Sequence, residues 1–145
     1  MRFLRGRRGY SLTWAAAFLA ILLVPLLLLG IEIGRWGHAR GELYKAADLA
    51  ALAAAQEVDV AHFRETGEVL LLPSALEVAR RYVSANTGYL ARNGIAAHVA
   101  GIAVNQALRQ VEVAVVADIS GLFPAWAPRV VIRGRGTAEV RGMVR

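Results

Sequence analysis

The chain has 145 residues, 17 basic and 11 acidic side chains, a net charge of +6 and no cysteine. That length leaves room for one small domain beside any anchor. The missing cysteines exclude disulfides, a lipidated cysteine, thiolate metal sites and a cysteine nucleophile.

The first ten residues carry Arg2, Arg5, Arg7 and Arg8. Next comes an uninterrupted apolar run, from Leu12 to Ile31. A run of about twenty residues makes a helix of roughly 30 Å, enough to cross the hydrocarbon core of a bilayer. Four arginines before the run place the N-terminus on the cytoplasmic side and the C-terminal remainder of the chain on the far side. From Arg35 onward 13 basic residues face 10 acidic ones, so much of the excess charge is a topology signal. It argues against a nucleic-acid partner. The run exceeds the about 7–15 apolar residues of a secretory signal, which favours a retained anchor. Two alternatives stay open: cleavage at the small-x-small site Gly37-His38-Ala39, and clipping after Gly9 with the helix kept.

The helical pattern continues beyond Ile31. Residues 32–57 contain no proline and many strong helix formers, so one helix is expected from Ser11 to Glu57. Pro25 lies inside it and predicts a kink or loosened turn, because it removes one hydrogen bond and crowds the preceding turn. Glu32 stands at the outer edge of the span, where a carboxylate reaches the interface. Gly30, Gly34, Gly37 and Gly41 are spaced 4, 3 and 4. At 100° per residue they share one face within about 60°. Each costs on the order of 1 kcal/mol of helix propensity against alanine. Close helix–helix approach is the reading that repays this; glycine-rich composition alone is the other. Ala46, Ala47, Ala50, Ala51, Ala53, Ala54 and Ala55 extend the small-residue surface, which suits tight packing on a sheet or another helix.

Gln56 to Leu72 reads as a connection, with a turn at Thr66-Gly67 and an apolar tuck at Leu70-Leu71-Leu72. A second helix begins at Pro73, with Ser74 and Glu77 as a capping box. Its expected buried stripe is Leu76, Ala79, Tyr82 and Val83; Arg80 and Arg81 face water, and Asn86 and Gly88 end it. Asn93-Gly94 marks a turn. Ile95–Val104 is a weak strand candidate, Asn105–Arg109 a hairpin connection, and Gln110–Ile119 a strongly alternating strand. Arg129–Arg141 is a third strand. Its apolar face is Val130, Ile132, Gly134, Gly136, Ala138 and Val140; its other face is charged. The expected class is α+β, with the sheet laid on the Ala-rich helix. The apolar connection Gly121–Pro128 contains Leu122, Phe123 and Trp126. These either close the end of the small core or meet a partner or the membrane surface.

No catalytic, cofactor or metal constellation is present in the sequence. His38, His62 and His98 lack ligand spacing, and there is no nucleophile elbow, P-loop or dinucleotide fingerprint. Glu57/Asp59 and Glu65/Glu68 read as solvated loop charges. Asp118-Ile119-Ser120 opens a metal-dependent adhesion pattern, but Leu122 stands where its second serine belongs. Arg133-Gly134-Arg135-Gly136 is a miniature RNA-binding tract, or the plain alternation of a strand, and alternation fits better. No enzyme is expected.

The order of Arg7-Arg8-Gly9, an apolar helix with Pro25, the stretch Gly30-Ile31-Glu32-Ile33-Gly34-Arg35 and the run Leu43–Ala55 with Asp48 resembles the TadE/TadG-like proteins of Tad (Flp-type) pilus systems. The resemblance covers residues 7–57. It implies a pilin-like, non-enzymatic component of pilus assembly in the bacterial cytoplasmic membrane. Its partners would be the bilayer, pilus or assembly proteins, and other copies through the N-terminal helix. Some members are cut after a glycine and carry glutamate at the fifth mature position. If Gly9 is that glycine, Trp14 stands at the fifth position here, which favours the TadG-like N-terminal pattern. A filament subunit and a membrane-tethered binding module are the alternative functions. The expected organisation is a basic head over 1–10, a span over 11–34, a helical continuation over 35–57 and an α+β domain over 58–145.

Overall fold

The computed structural model describes residues 7–122 and 129–140, with side chains from Ser11 on. The chain divides into two compact units, Met1–Arg35 and Trp36–Arg145. Helix α1 (Arg7–Gln56) runs unbroken through Pro25 and contributes to both. In the first unit its apolar side chains are exposed: Leu12, Phe18, Ile21, Leu26 and Ile31 all keep more than half of their surface. This is a helix long and apolar enough to cross a membrane.

The second unit is α+β. Its sheet is an antiparallel meander in the order β1 (Ala96–Asn105), β2 (Gln110–Ile119), β3 (Val130–Glu139). The central strand alternates most strictly. Val111, Val113, Val115, Ala117 and Ile119 are buried, while Glu112, Ala114 and Val116 are half-buried and Asp118 is exposed on the other face. On β3, Ile132, Gly134, Gly136 and Ala138 point inward and Val131, Arg133, Arg135, Thr137 and Glu139 outward. The Ala-rich part of α1 covers the inner face. Ala39, Leu43, Ala46, Ala47, Ala50, Ala51 and Ala54 are buried, the 3–4 spacing of a single helix face.

The glycines of β3 sit where helix and strand come closest. A Cβ on Gly134 would stand 3.1 Å from both Cγ and the carbonyl oxygen of Leu43. One on Gly136 would run into the backbone of Ala47 and Asp48. Glycine in a strand interior marks such a close backbone approach. The Arg-Gly-Arg-Gly tract is thus strand alternation, with arginines out and glycines under the helix.

Strand β1 was weak in the sequence because its alternation breaks. A bulge between Val99 and Gly101 leaves Ala100 as the extra residue. Ala97 and Val99 face inward before it, and Ile102 and Val104 after it, all half-buried. The bulge restores parity that a straight strand would lose.

Between α1 and the sheet lie three more helices, two of them unforeseen. The expected connection 56–72 contains α2 (Val60–Thr66). The Asp59 carboxylate accepts from the His62 amide at 3.0 Å, and Gly67, in the left-handed region at φ 76°, closes the helix with its amide on Phe63 O. Glu57–Asp59 and Leu70–Leu72 then pair across the loop, Asp59 N donating to Leu70 O and Leu72 N to Glu57 O, both at 2.8 Å. The tucked residue here is Val69, 2% exposed, rather than Leu70 or Leu72. The Gln106 amide holds it from the β1–β2 turn. Val69 N donates to Oε1 and Nε2 donates to Val69 O, each at 2.8 Å.

Helix α3 (Ala75–Asn86) lacks the expected capping box: Ser74 makes no side-chain cap bond, and its hydroxyl donates to Glu57 Oε2 at 2.6 Å instead. The buried row is Ala75, Ala79 and Val83. Leu76 and Tyr82 flank it and remain 38% and 40% exposed, a correction to the expected stripe. Arg80 and Arg81 are exposed as expected. Helix α3 ends at Asn86 as expected, and Gly88 opens the short helix α4 (Gly88–Arg92). The Asn93-Gly94 turn comes next, with Gly94 at φ 70°.

Candidate functional site

The candidate surfaces are exposed faces of the described residues. The three histidines are not brought together. His38 meets the Tyr89 ring edge-on at 4.5 Å, His62 lies in α2, and His98 is exposed on β1. Among the described residues no group of three or more His, Asp or Glu side chains could hold a metal ion. Glu57 and Asp59 are engaged by Ser74 and the α2 N-terminus, and Asp118 and Ser120 are exposed.

The first exposed surface is the apolar helix of the Met1–Arg35 unit. It ends in an ionic step, with Arg35 Nη1 3.6 Å from Glu32 Oε2 and Glu32 only 6% exposed. Gly30 and Gly34 belong to this unit, and a Cβ on either would meet nothing within 4 Å.

The second is the outer side of α1 in the Trp36–Arg145 unit. Gly37 and Gly41 also have open space where a Cβ would stand. They align with exposed Tyr44, Asp48 and Leu52, on the side of the helix opposite Leu43, Ala46 and Ala50. Two short-range contacts decorate it. Arg40 Nη2 donates to the Tyr44 hydroxyl at 3.3 Å with its guanidinium 5.5 Å from the ring centre, which holds the Arg40 pKa above its ordinary value. Lys45 Nζ donates to Glu42 Oε1 at 2.8 Å and holds the Glu42 carboxyl below its ordinary value.

The third is the outer sheet face, where Arg135 Nε lies 2.6 Å from Glu112 Oε1 across the β2–β3 pair. The fourth is the described start of the β2–β3 connection. Leu122 is 48% exposed; Phe123 and Trp126 lie outside the described residues. Sequence reasoning did not find the Val69–Gln106 clamp or the Arg135–Glu112 pair, since each joins residues more than twenty positions apart.

Residues 9–57 match the family model described as putative Flp pilus-assembly TadE/G-like. The match spans about a third of the chain, and it covers Gly9, Pro25, Glu32, Gly34, Arg35 and Asp48 together with the whole glycine series. No curated protein and no solved structure matches the chain.

Proposed function

Taking residues 9–57 as a TadE/G-like segment, we propose that this protein is a single-pass, non-enzymatic, pilin-like component of Tad-type pilus assembly. The observation that carries the reading is the coincidence of the family match with a helix that has two jobs in sequence. Its first part is apolar and exposed, as a bilayer requires, and its Ala-rich part forms one wall of the folded core. The N-terminus stays cytoplasmic by its arginines, and the α+β domain works outside the cytoplasmic membrane.

The glycine series supports lateral packing as the mode of action. Gly30, Gly34, Gly37 and Gly41 each leave open space at the helix surface, so a neighbouring helix can approach backbone to backbone. This feature suits an assembly component, and it equally suits a filament subunit whose helices bundle. N-terminal sequencing of the protein from its host separates the two: Tyr10 as first residue favours the subunit, and Met1 the assembly component.

The deciding experiment is deletion of the gene, with pili counted by electron microscopy. Loss of pili, restored by the wild-type gene, is the expected result. Normal piliation would leave the membrane-tethered binding module as the better reading. A gene neighbourhood with a secretion ATPase and two Tad-type platform proteins is the corresponding genomic expectation.

A further inference from the structure

The packing of α1 on β3 defines two chemically different ends of the Trp36–Arg145 unit. Leu43 lies over Gly134 and Ala47 over Gly136. Four helix residues, about 6 Å, keep pace with two strand residues, about 6.6 Å, so helix and strand run in the same direction. Carried back from Gly134, the four residues to Val130 span about 13 Å, which brings the start of β3 level with the start of the unit at Trp36. Val130 pairs with Ile119, and Asp118 with Ala96. The end of β2, the beginning of β1 and both described flanks of the β2–β3 connection therefore share this end. The His38–Tyr89 contact brings α4 there as well.

This end is basic and apolar. Arg92 and Arg129 are exposed, as is Leu122, and Asp118 is the one exposed carboxylate of the described residues there. The opposite end holds the acids: Glu57, Asp59, Glu65 and Glu68, beside Arg64 and Arg109. The basic end is also where the chain arrives from the apolar helix. Five residues join Ile31 to Trp36, at most about 17 Å even when fully extended. The headgroup layer beyond the hydrocarbon core is itself roughly 5–8 Å deep.

We propose that this end of the domain is a contact surface for anionic lipid headgroups of the bilayer that its own helix crosses, with Arg92 and Arg129 meeting phosphates and Leu122 inserted between them. The proposal rests on the reading that residues 11–34 span the bilayer. It gives the domain a preferred stance: basic end on the membrane, acidic end presented away from it. Membrane attraction of about 1 kcal/mol per basic side chain corresponds to roughly fivefold in contact equilibrium for each arginine.

The absence of native cysteine allows a clean test on the full chain. Single-cysteine variants A91C, E65C and L22C carry an environment-sensitive fluorophore and are reconstituted into vesicles of phosphatidylcholine with or without phosphatidylglycerol. Quenching by lipids spin-labelled near the headgroup is measured. The expected result is strong quenching at position 91 in phosphatidylglycerol vesicles and little at 65. The position-91 contact equilibrium falls by roughly fivefold in R92E and again in R129E. High salt does the same to the arginine-intact chain, so a variant that fails to fold does not decide the matter. Equal quenching at 91 and 65, or a position-91 probe indifferent to lipid charge and salt, overturns the surface contact. The L22C probe, read with lipids labelled deep in the acyl chain, keeps the two readings apart. A water-exposed position 22 overturns the spanning helix and this proposal with it; a lipid-embedded 22 with a water-exposed 91 overturns the surface contact alone.

Discussion

Gly136 on β3 lies so close to the backbone of Ala47 on α1 that no side chain fits between strand and helix. This pair sets how closely helix and strand approach there. Gly134, two residues back along the strand, allows slightly more room against Leu43. An alanine-rich helix and a glycine-bearing strand are matched surfaces, and each would be poor packing material alone.

Substituting Gly136→Ala tests that match. Alanine is the better strand residue, yet here its methyl group must push the helix away, at about 1–3 kcal/mol or more of overpacking. Gly134→Ala should cost less, because its nearest neighbour is partly the Leu43 side chain. Urea unfolding of both variants in detergent measures the order, and a Gly136→Ala midpoint equal to wild type would refute the close approach.

The Gln106 clamp predicts a second loss. Val69 is 2% exposed and has both backbone groups bound by one side-chain amide. Gln106→Ala leaves a buried donor and acceptor without their partner, for about 1–3 kcal/mol. Hydrogen exchange at the Val69 amide should accelerate by at least tenfold. Retained protection there would mean another group takes over the bond.

Ser74 contributes through Glu57 rather than as a cap. Ser74→Ala and Glu57→Gln should therefore be non-additive, with a coupling of about 0.5–1.5 kcal/mol in a double-mutant cycle. Additive losses would return Ser74 to an ordinary helix terminus.

Lateral packing along the glycine series predicts that Gly34→Leu and Gly37→Leu reduce cross-linking between copies or partners in membranes. Gly37→Leu should leave the domain's unfolding midpoint nearly unchanged, since the side chain enters open space. Unaltered cross-linking would sink the packing idea.

The Glu42–Lys45 pair carries a small pH dependence. Lys45 lowers the Glu42 pKa in the folded state, so the pair's contribution is present above the ordinary carboxylate range and is lost as pH falls through the lowered value. The pair is solvent-exposed on the lysine side, and its worth is at most about 0.5 kcal/mol. Glu42→Gln should flatten the acid side of the stability curve by that amount. A larger change would indicate a partner for Glu42 beyond Lys45.

Features that rest on local period are legible in the chain alone. The apolar span, the Ala-rich face of α1, the alternation of β2 and β3 and the α+β class come from spacing along the chain, since helix and strand fix which neighbours share a face. Half of the candidate surface was legible for the same reason: the glycines at 30, 34, 37 and 41 declare a common side. Features that depend on distant partners needed the folded chain. The bulge at Ala100 weakened the alternation of β1 in the sequence, because parity is restored only when β2 supplies the register. Helix α2, closed by Asp59 and Gly67, was concealed inside a charged stretch that gains its form when residues 57–59 pair with 70–72. Ser74 chose Glu57 over its own helix, and Gly136 acquired its meaning from Ala47, eighty-nine positions away. Folding also gathers Arg92, Leu122 and Arg129 at one end, because the sheet register, not their spacing, brings them there.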